Sequence, residues 1–218
     1  MNNFYIVTRV MDGASFIHST IVSVVTQAGD FTIHYHVHDA GSTDGTIEAL
    51  RYWQSVLSAR NPLTQCRAVH FSWDGNTDSR DPIDCNAYFS RFTVADDSLM
   101  AWCDARMSYL PHAFNTVAKA FADAPQAQLL WGGRNFFHGG MLVGPGGGLK
   151  RFCRGRESDF FSVPVFRKGA LPRKDDYGML AAARSFCSRF FWGTQHIHLD
   201  IPLGVLFSSL HGETGQRG

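Results

Sequence analysis

The sequence predicts an α/β fold, a mostly parallel central sheet flanked by helices within a single domain. Three observations carry that prediction. Short β-type runs alternate with amphipathic helical stripes through the first half of the chain. The connections between them are short, which calls for right-handed crossovers and parallel strands. The 218 residues, 44% hydrophobic and 18% charged, suffice for one sizeable core without covalent staples.

Phe4 to Thr8 is a compact β-type run. After the turn at Asp12-Gly13, Phe16, Ile17, Thr20, Ile21, Val24 and Val25 recur at the spacing of one helical stripe. Gly29 stops that helix, and Phe31 to His38 reads as the second strand. Asp39 to Asp44 is a turn-rich loop, and Ile47, Leu50, Trp53 and Leu57 mark the next helix. Cys66 to Phe71 and Leu99 to Cys103 give the third and fourth strands. Leu110, Phe114, Val117 and Phe121 mark a helix with Pro111 in its first turn, and Gln128 to Trp131 a short fifth strand. Beyond it, Gly139 to Gly148 holds six glycines and reads as a loop, followed by Lys150, Arg151, Arg154 and Arg156. A last helix is expected over Asp176 to Phe191, then a strand pair at His196–Leu199 and Leu203–Phe207.

Lys+Arg 20 nearly cancels Asp+Glu 19, which argues against a nucleic-acid binder with its usual basic excess. The five cysteines, Cys66, Cys85, Cys103, Cys153 and Cys187, form no CxxC pair and read as reduced thiols of a cytoplasmic protein. Arg9 and Asp12 break the first apolar run, so no signal peptide is expected. No stretch approaches ~18 uninterrupted apolar residues, so no transmembrane segment is expected and only peripheral membrane contact stays open.

The most informative segment runs from Ile33 to His38 and on through Asp39 to Thr46 (DAGSTDGT). Ligands of open parallel sheets bind beyond the carboxyl ends of the strands, where a carboxylate accepts from a ribose or base. The next helix N-terminus offers free N–H groups to an anion. Asp44 or Ser42 capping that helix is the plainer reading of the same residues. An aspartyl phosphatase is excluded, because Ser42 stands where its second carboxylate would be.

Three segments in order, Ile6 to Ile17 (IVTRVMDGASFI), Thr20 to Gln27 (TIVSVVTQ) and Asp39 to Thr46, resemble glycosyltransferase family 2 with the GT-A fold. The resemblance continues through Asp84-Cys85-Asn86, Tyr109-Leu110-Pro111, Asp175-Asp176-Tyr177, Ile201 to Gly204 and His211-Gly212-Glu213. It implies that Thr8, Asp12 and Asp39 line a nucleotide pocket, with Asp84 in the same set. It also implies that Asp176, or its neighbour Asp175, is the base that deprotonates an acceptor hydroxyl. On this resemblance residues 1–131 are the nucleotide-binding half and 132–218 the acceptor-side half of one GT-A domain. The donor is a nucleotide-sugar (UDP-, GDP- or dTDP-linked), the acceptor a glycan or lipid-linked hydroxyl of surface polysaccharide or glycolipid synthesis, and the displacement inverting.

The family usually neutralises the leaving diphosphate with Mg²⁺ or Mn²⁺ held by an Asp-x-Asp motif. Here its adjacent aspartates fall on Arg106 and Met107, and only Asp104 remains. Asp104 with His211 holding the metal, Arg106 acting as a fixed cation against the diphosphate, and an inactive nucleotide-sugar-binding or partner-binding relative are all open. Arg9 replaces the family's Pro, and Ala40 replaces a Gly, which matters only if that position needs positive φ.

His34, His36 and His38 alternate, and His196 and His198 repeat the pattern. Two such strands side by side would suit a zinc-dependent hydrolase. The Gly139–Arg156 stretch reads as a surface loop or as a lid closing over phosphate.

Overall fold

The computed structural model describes residues 2–58, 63–75, 97–138, 141–143, 163–167 and 196–207. In chain order the first half comprises β1 (Asn2–Val10), α1 (Ala14–Val25), β2 (Phe31–Asp39), α2 (Thr46–Ser58), β3 (Ala68–Gly75) and β4 (Leu99–Asp104). Then come β5 (Met107–Tyr109), α3 (Ala113–Asp123), β6 (Leu129–His138), β7 (Met141–Val143), β8 (Val163–Arg167) and β9 (His196–Phe207).

Successive strand residues point to opposite faces. Phe4, Ile6 and Val10 of β1 therefore share a face with Ile33, Tyr35 and Val37 of β2, and all are buried. Onto this face pack the apolar stripes of the helices: Ile17, Ile21 and Val24 of α1, Leu50 and Trp53 of α2, Phe114, Val117 and Phe121 of α3. Phe4 joins three elements, edge-on to Phe31 at 5.0 Å and stacked on Phe114 at 4.8 Å. Each fully buried side chain of this kind contributes roughly 1.5–3 kcal/mol of transfer free energy. The opposite face carries Tyr5 and Arg9 on β1, His34, His36 and His38 on β2, and His70, Ser72 and Asp74 on β3.

One sheet runs in the order β3-β2-β1-β4-β8-β6-β9-β5, with β7 hydrogen-bonded to β6. The long ladders β1–β2, β1–β4, β2–β3 and β6–β9 are parallel, and the short ones β4–β8, β6–β8, β6–β7 and β5–β9 antiparallel. From β1 the chain builds outward to β2 and β3 on one side, and β4 lies on the other. The strand order therefore reverses between β1 and β4. Their carboxyl ends flank the crevice where open α/β sheets bind ligands.

Several elements depart from the sequence-based expectations. Residues 196–207 form one strand rather than a pair, with the register slipping opposite Gly132, Gly133 and Arg134 where Pro202 removes a donor. Within the glycine-rich segment, Met141–Val143 is a strand that pairs antiparallel with Phe136–His138, so that stretch is not all loop. Helix α3 starts at Ala113 because His112, at φ 65°, is left-handed; Pro111 precedes the helix instead of opening its first turn. The boundary drawn at residue 131 falls inside β6.

The zinc reading is overturned by topology. Strands β2 and β9 are separated by β1, β4, β8 and β6. Five interstrand steps place them about 24 Å apart, far beyond the reach of one ion. Instead, His34 stacks between Tyr5 (4.3 Å) and His70 (4.9 Å), while His36 and His38 both meet Asp74. Cys66 and Cys103 are free thiols, and Cys85, Cys153 and Cys187 lie outside the described residues. Among the described residues no helix is long and apolar enough to cross a membrane.

Candidate active site

The site is built from the loops at the carboxyl ends of β1, β2 and β4. Asp39 ends β2 and is buried. Its Oδ2 accepts the backbone N–H groups of Gly41 and Ser42, both at 3.1 Å, and its Oδ1 accepts the Ser42 hydroxyl at 2.5 Å. Three of the roughly four lone-pair sites of this carboxylate are thus taken by its own loop. The left-handed residue of that loop is Gly41, at φ 92°, so Ala40 stands where no positive φ is needed.

The β2–α2 loop is tied to the β1–α1 loop by reciprocal bonds. Asp12 adopts φ 48°, a region that Asp tolerates. Its N–H donates to Ser42 Oγ at 2.9 Å, and its Oδ1 accepts from Thr43 N at 2.8 Å. Asp12 is exposed, and among the described residues its second oxygen takes no hydrogen bond. Asp44 caps two helices: Oδ2 accepts from Ala14 N of α1 at 2.9 Å, and Oδ1 from Thr46 N of α2 at 3.1 Å. Burial is the largest single influence and raises its carboxyl, but the bonds from Thr46 and Ala14 together outweigh it and hold the group below its ordinary value. Gly13 N donates to Thr46 Oγ1 at 2.9 Å. The first amides of α1 are therefore used by the neighbouring loop, which is the capping role rather than a free anion site.

Thr8 lies elsewhere than the resemblance implies. It has no exposed surface, and its hydroxyl bonds the buried Tyr35 hydroxyl at 3.0 Å on the helix-covered face. Its side chain supports the floor of the site from the core. Cys103 sits beside it, its thiol pushed up by burial.

Asp104 ends β4 and Arg106 stands in the β4–β5 turn, both exposed. Asp104 Oδ1 accepts from Arg106 N at 2.8 Å and from its guanidinium Nε at 3.4 Å. The turn is held from α1 by the polar residues of the Thr20–Gln27 segment. Thr20 Oγ1 donates to Ala105 O at 2.6 Å, and Ser23 Oγ accepts from Tyr109 N at 3.0 Å. Gln27 donates to Leu110 O at 2.9 Å and accepts from Phe114 N at 3.1 Å. This motif thus positions the turn that carries Asp104 and Arg106.

The described residues do not fit a divalent cation. No group of three His, Cys, Asp or Glu side chains among them is arranged for one. The single carboxylate at the motif position is already bonded to a guanidinium, which opposes a dication on the same oxygen. Asp84, Asp175, Asp176 and His211 lie outside the described residues.

Sequence reasoning named Arg9 only as a departure. It occupies β1 between His38 on β2 and Asp104 on β4, and its Nε is shielded from solvent without a hydrogen-bond partner. The one charged residue of β1, next to the strand's end, is the available signal.

No family model matches the sequence, and no curated protein matches it. Solved structures do match it in fold. Staphylococcus aureus TarS residues 1–349 with UDP-GlcNAc superposes with TM-score 0.64 and 14% identity, over 95% of this chain and 59% of that one. The mannosyltransferase PcManGT of Pyrobaculum calidifontis with GDP-Man and Mn²⁺ gives TM-score 0.60 and 15% identity over 99% and 58%. Glucosyl-3-phosphoglycerate synthase of Mycobacterium tuberculosis with Mn²⁺, UDP and glucosyl-3-phosphoglycerate gives 0.56 and 11% over 95% and 72%. The chain therefore has the GT-A glycosyltransferase fold. It spans about three fifths of the length of the TarS and PcManGT chains.

Proposed function

We propose that the protein is a nucleotide-sugar-dependent glycosyltransferase that moves a sugar to a hydroxyl acceptor by inverting displacement. The carrying observation is the placement of Asp39, Asp12, Asp104 and Arg106 around the β1/β4 reversal of a GT-A fold. Asp12, with an oxygen to spare, and Asp39, with one lone-pair site left, meet the nucleoside, and Asp84 belongs to the same set. Arg106 faces the diphosphate. Displacement at the anomeric carbon needs a base beside the acceptor, the role given to Asp176 or Asp175. In this reading residues 1–131 bind the nucleotide and 132–218 face the acceptor, a glycan or lipid-linked hydroxyl of surface polysaccharide or glycolipid synthesis. The site works from the cytoplasm, on a chain free or peripherally held at the membrane. The neighbours' UDP, UDP-GlcNAc and GDP-Man supply the donor classes to try first.

A second reading has its own observation. Arg106 and Met107 in place of the motif's adjacent aspartates suit a nucleotide-sugar binder that no longer transfers. Calorimetry against UDP, GDP, dTDP and CMP, followed by donor turnover with the bound class, tests both. Binding with turnover, lost in Asp176→Asn while donor affinity stays, supports the transferase. Binding without turnover supports the second reading, and no binding of any nucleotide refutes both.

A further inference from the structure

We propose that this chain holds the donor diphosphate with two arginines, Arg9 and Arg106, and needs no divalent metal to bind it. The proposal rests on the donor site described above. Arg106 occupies one of the two positions where the family's adjacent aspartates fall, in the turn after β4. Arg9 occupies the penultimate position of β1, registered directly with Asp104. The two cations thus stand on either side of the strand-order reversal, one on β1 and one in the turn that follows β4.

The chemistry of each arginine points outward. Arg9 is half-buried, and among the described residues its guanidinium has neither a carboxylate partner nor an acceptor for its shielded Nε. A shielded guanidinium N–H with no acceptor costs about 1–3 kcal/mol in general, and an incoming anion would satisfy it. The Arg106 side chain reaches Asp104 through Nε alone, at 3.4 Å, and is 46% exposed. Its planar fork is available for bidentate contact with phosphate oxygens. Asp104, registered with Arg9 on the next strand and bonded to Arg106, offsets part of the positive charge before the ligand arrives. A diphosphate entering the crevice meets charge of the required sign already fixed in the protein. A dication would meet guanidinium groups where its second carboxylate should be.

Calorimetric titration of the full chain with UDP and GDP, in EDTA and in MnCl₂, tests this, with Arg9→Met, Arg106→Met, Arg9→Lys and Arg106→Asp as variants. In EDTA the wild type should bind at least one diphosphate, with Mn²⁺ changing the affinity less than about twofold. Each Met variant should bind at least about tenfold more weakly, the loss of one charge-assisted contact. Arg9→Lys should recover part of that loss, which a packing defect would not. Arg106→Asp should make binding depend on Mn²⁺. Thermal midpoints near that of the wild type show that each variant folds. Wild-type binding that requires Mn²⁺, or Met variants that bind as the wild type does, would overturn the inference while leaving the donor site standing. Failure of both diphosphates to bind in either buffer overturns the donor site itself and this inference with it.

Discussion

Asp44 shows how one side chain organises the site. It caps the N-terminus of α2 from its own loop and that of α1 from the neighbouring strand's loop, so its loss frees donors on two helices. Capping residues replaced by Ala cost about 0.5–2 kcal/mol each, and Asp44→Ala should cost about 2 kcal/mol by denaturant unfolding. The acid dependence has a definite sign. The folded carboxyl lies below its ordinary value. Its contribution is whole above the unfolded pKa of about 3.9 and is lost as pH falls through the lower folded value. Asp44→Asn should therefore flatten the acid side of the stability profile, and an unchanged profile would remove Asp44 from it. Asp39 is used differently. Its carboxylate is buried and holds the loop together, so Asp39→Ala should lower stability and weaken nucleotide binding together. Asp12→Ala should weaken binding with a smaller loss of stability, because Asp12 is exposed. Parallel thermal and calorimetric measurements separate the two.

Helix α1 does two jobs from two sides of one cylinder. Ile17, Ile21, Val24 and Val25 fill the core, and their 3.6-residue period made the helix plain in the sequence. The polar Thr20, Ser23 and Gln27 were legible only as a family-like motif, since their partners lie more than 80 positions away. Gln27 is 2% exposed and bonds Leu110 O, Phe114 N and Ser23 O. Gln27→Ala strands two of these groups across the α1–α3 junction and should destabilise by about 2–4 kcal/mol. It should also weaken diphosphate binding without touching the site, because the β5–α3 connection that follows the Arg106 turn loses its anchor to α1; full binding in a destabilised variant would sink that link. The other misses have the same physical origin. β5, β7 and β8 have three to five residues each and take their identity from β9, β6 and β4, not from local pattern. His112 turns left-handed with no glycine to announce it. Strand-end carboxylates could be read in the sequence, but their consumption by neighbouring loop amides could not.

At the scale of the molecule, a single sheet joins the halves that sequence reasoning drew at residue 131. β4 of the first half pairs with β8, β8 with β6, and β6 with β9, so the ladder is continuous from β3 to β5. Parallel pairs are non-local contacts, and the strands next to the crevice cannot melt without exposing the core they share with α1 and α3. Nucleotide binding at one end of the sheet should therefore stabilise all of it. A ligand held at 100 times its dissociation constant adds about 2.7 kcal/mol. For a domain of about 150–250 residues that raises the midpoint by roughly 5–10 °C. Heating the chain with saturating diphosphate should give one transition, shifted as a unit, whether followed by far-ultraviolet circular dichroism or by tryptophan fluorescence. Trp53, Trp102 and Trp131 belong to the first half by position and Trp192 to the second, so the fluorescence samples both sides of the proposed boundary. Two transitions, with only the earlier or only the later one moved by nucleotide, would mean that the sheet divides into independent units. The nucleotide-binding half would then be a domain in its own right.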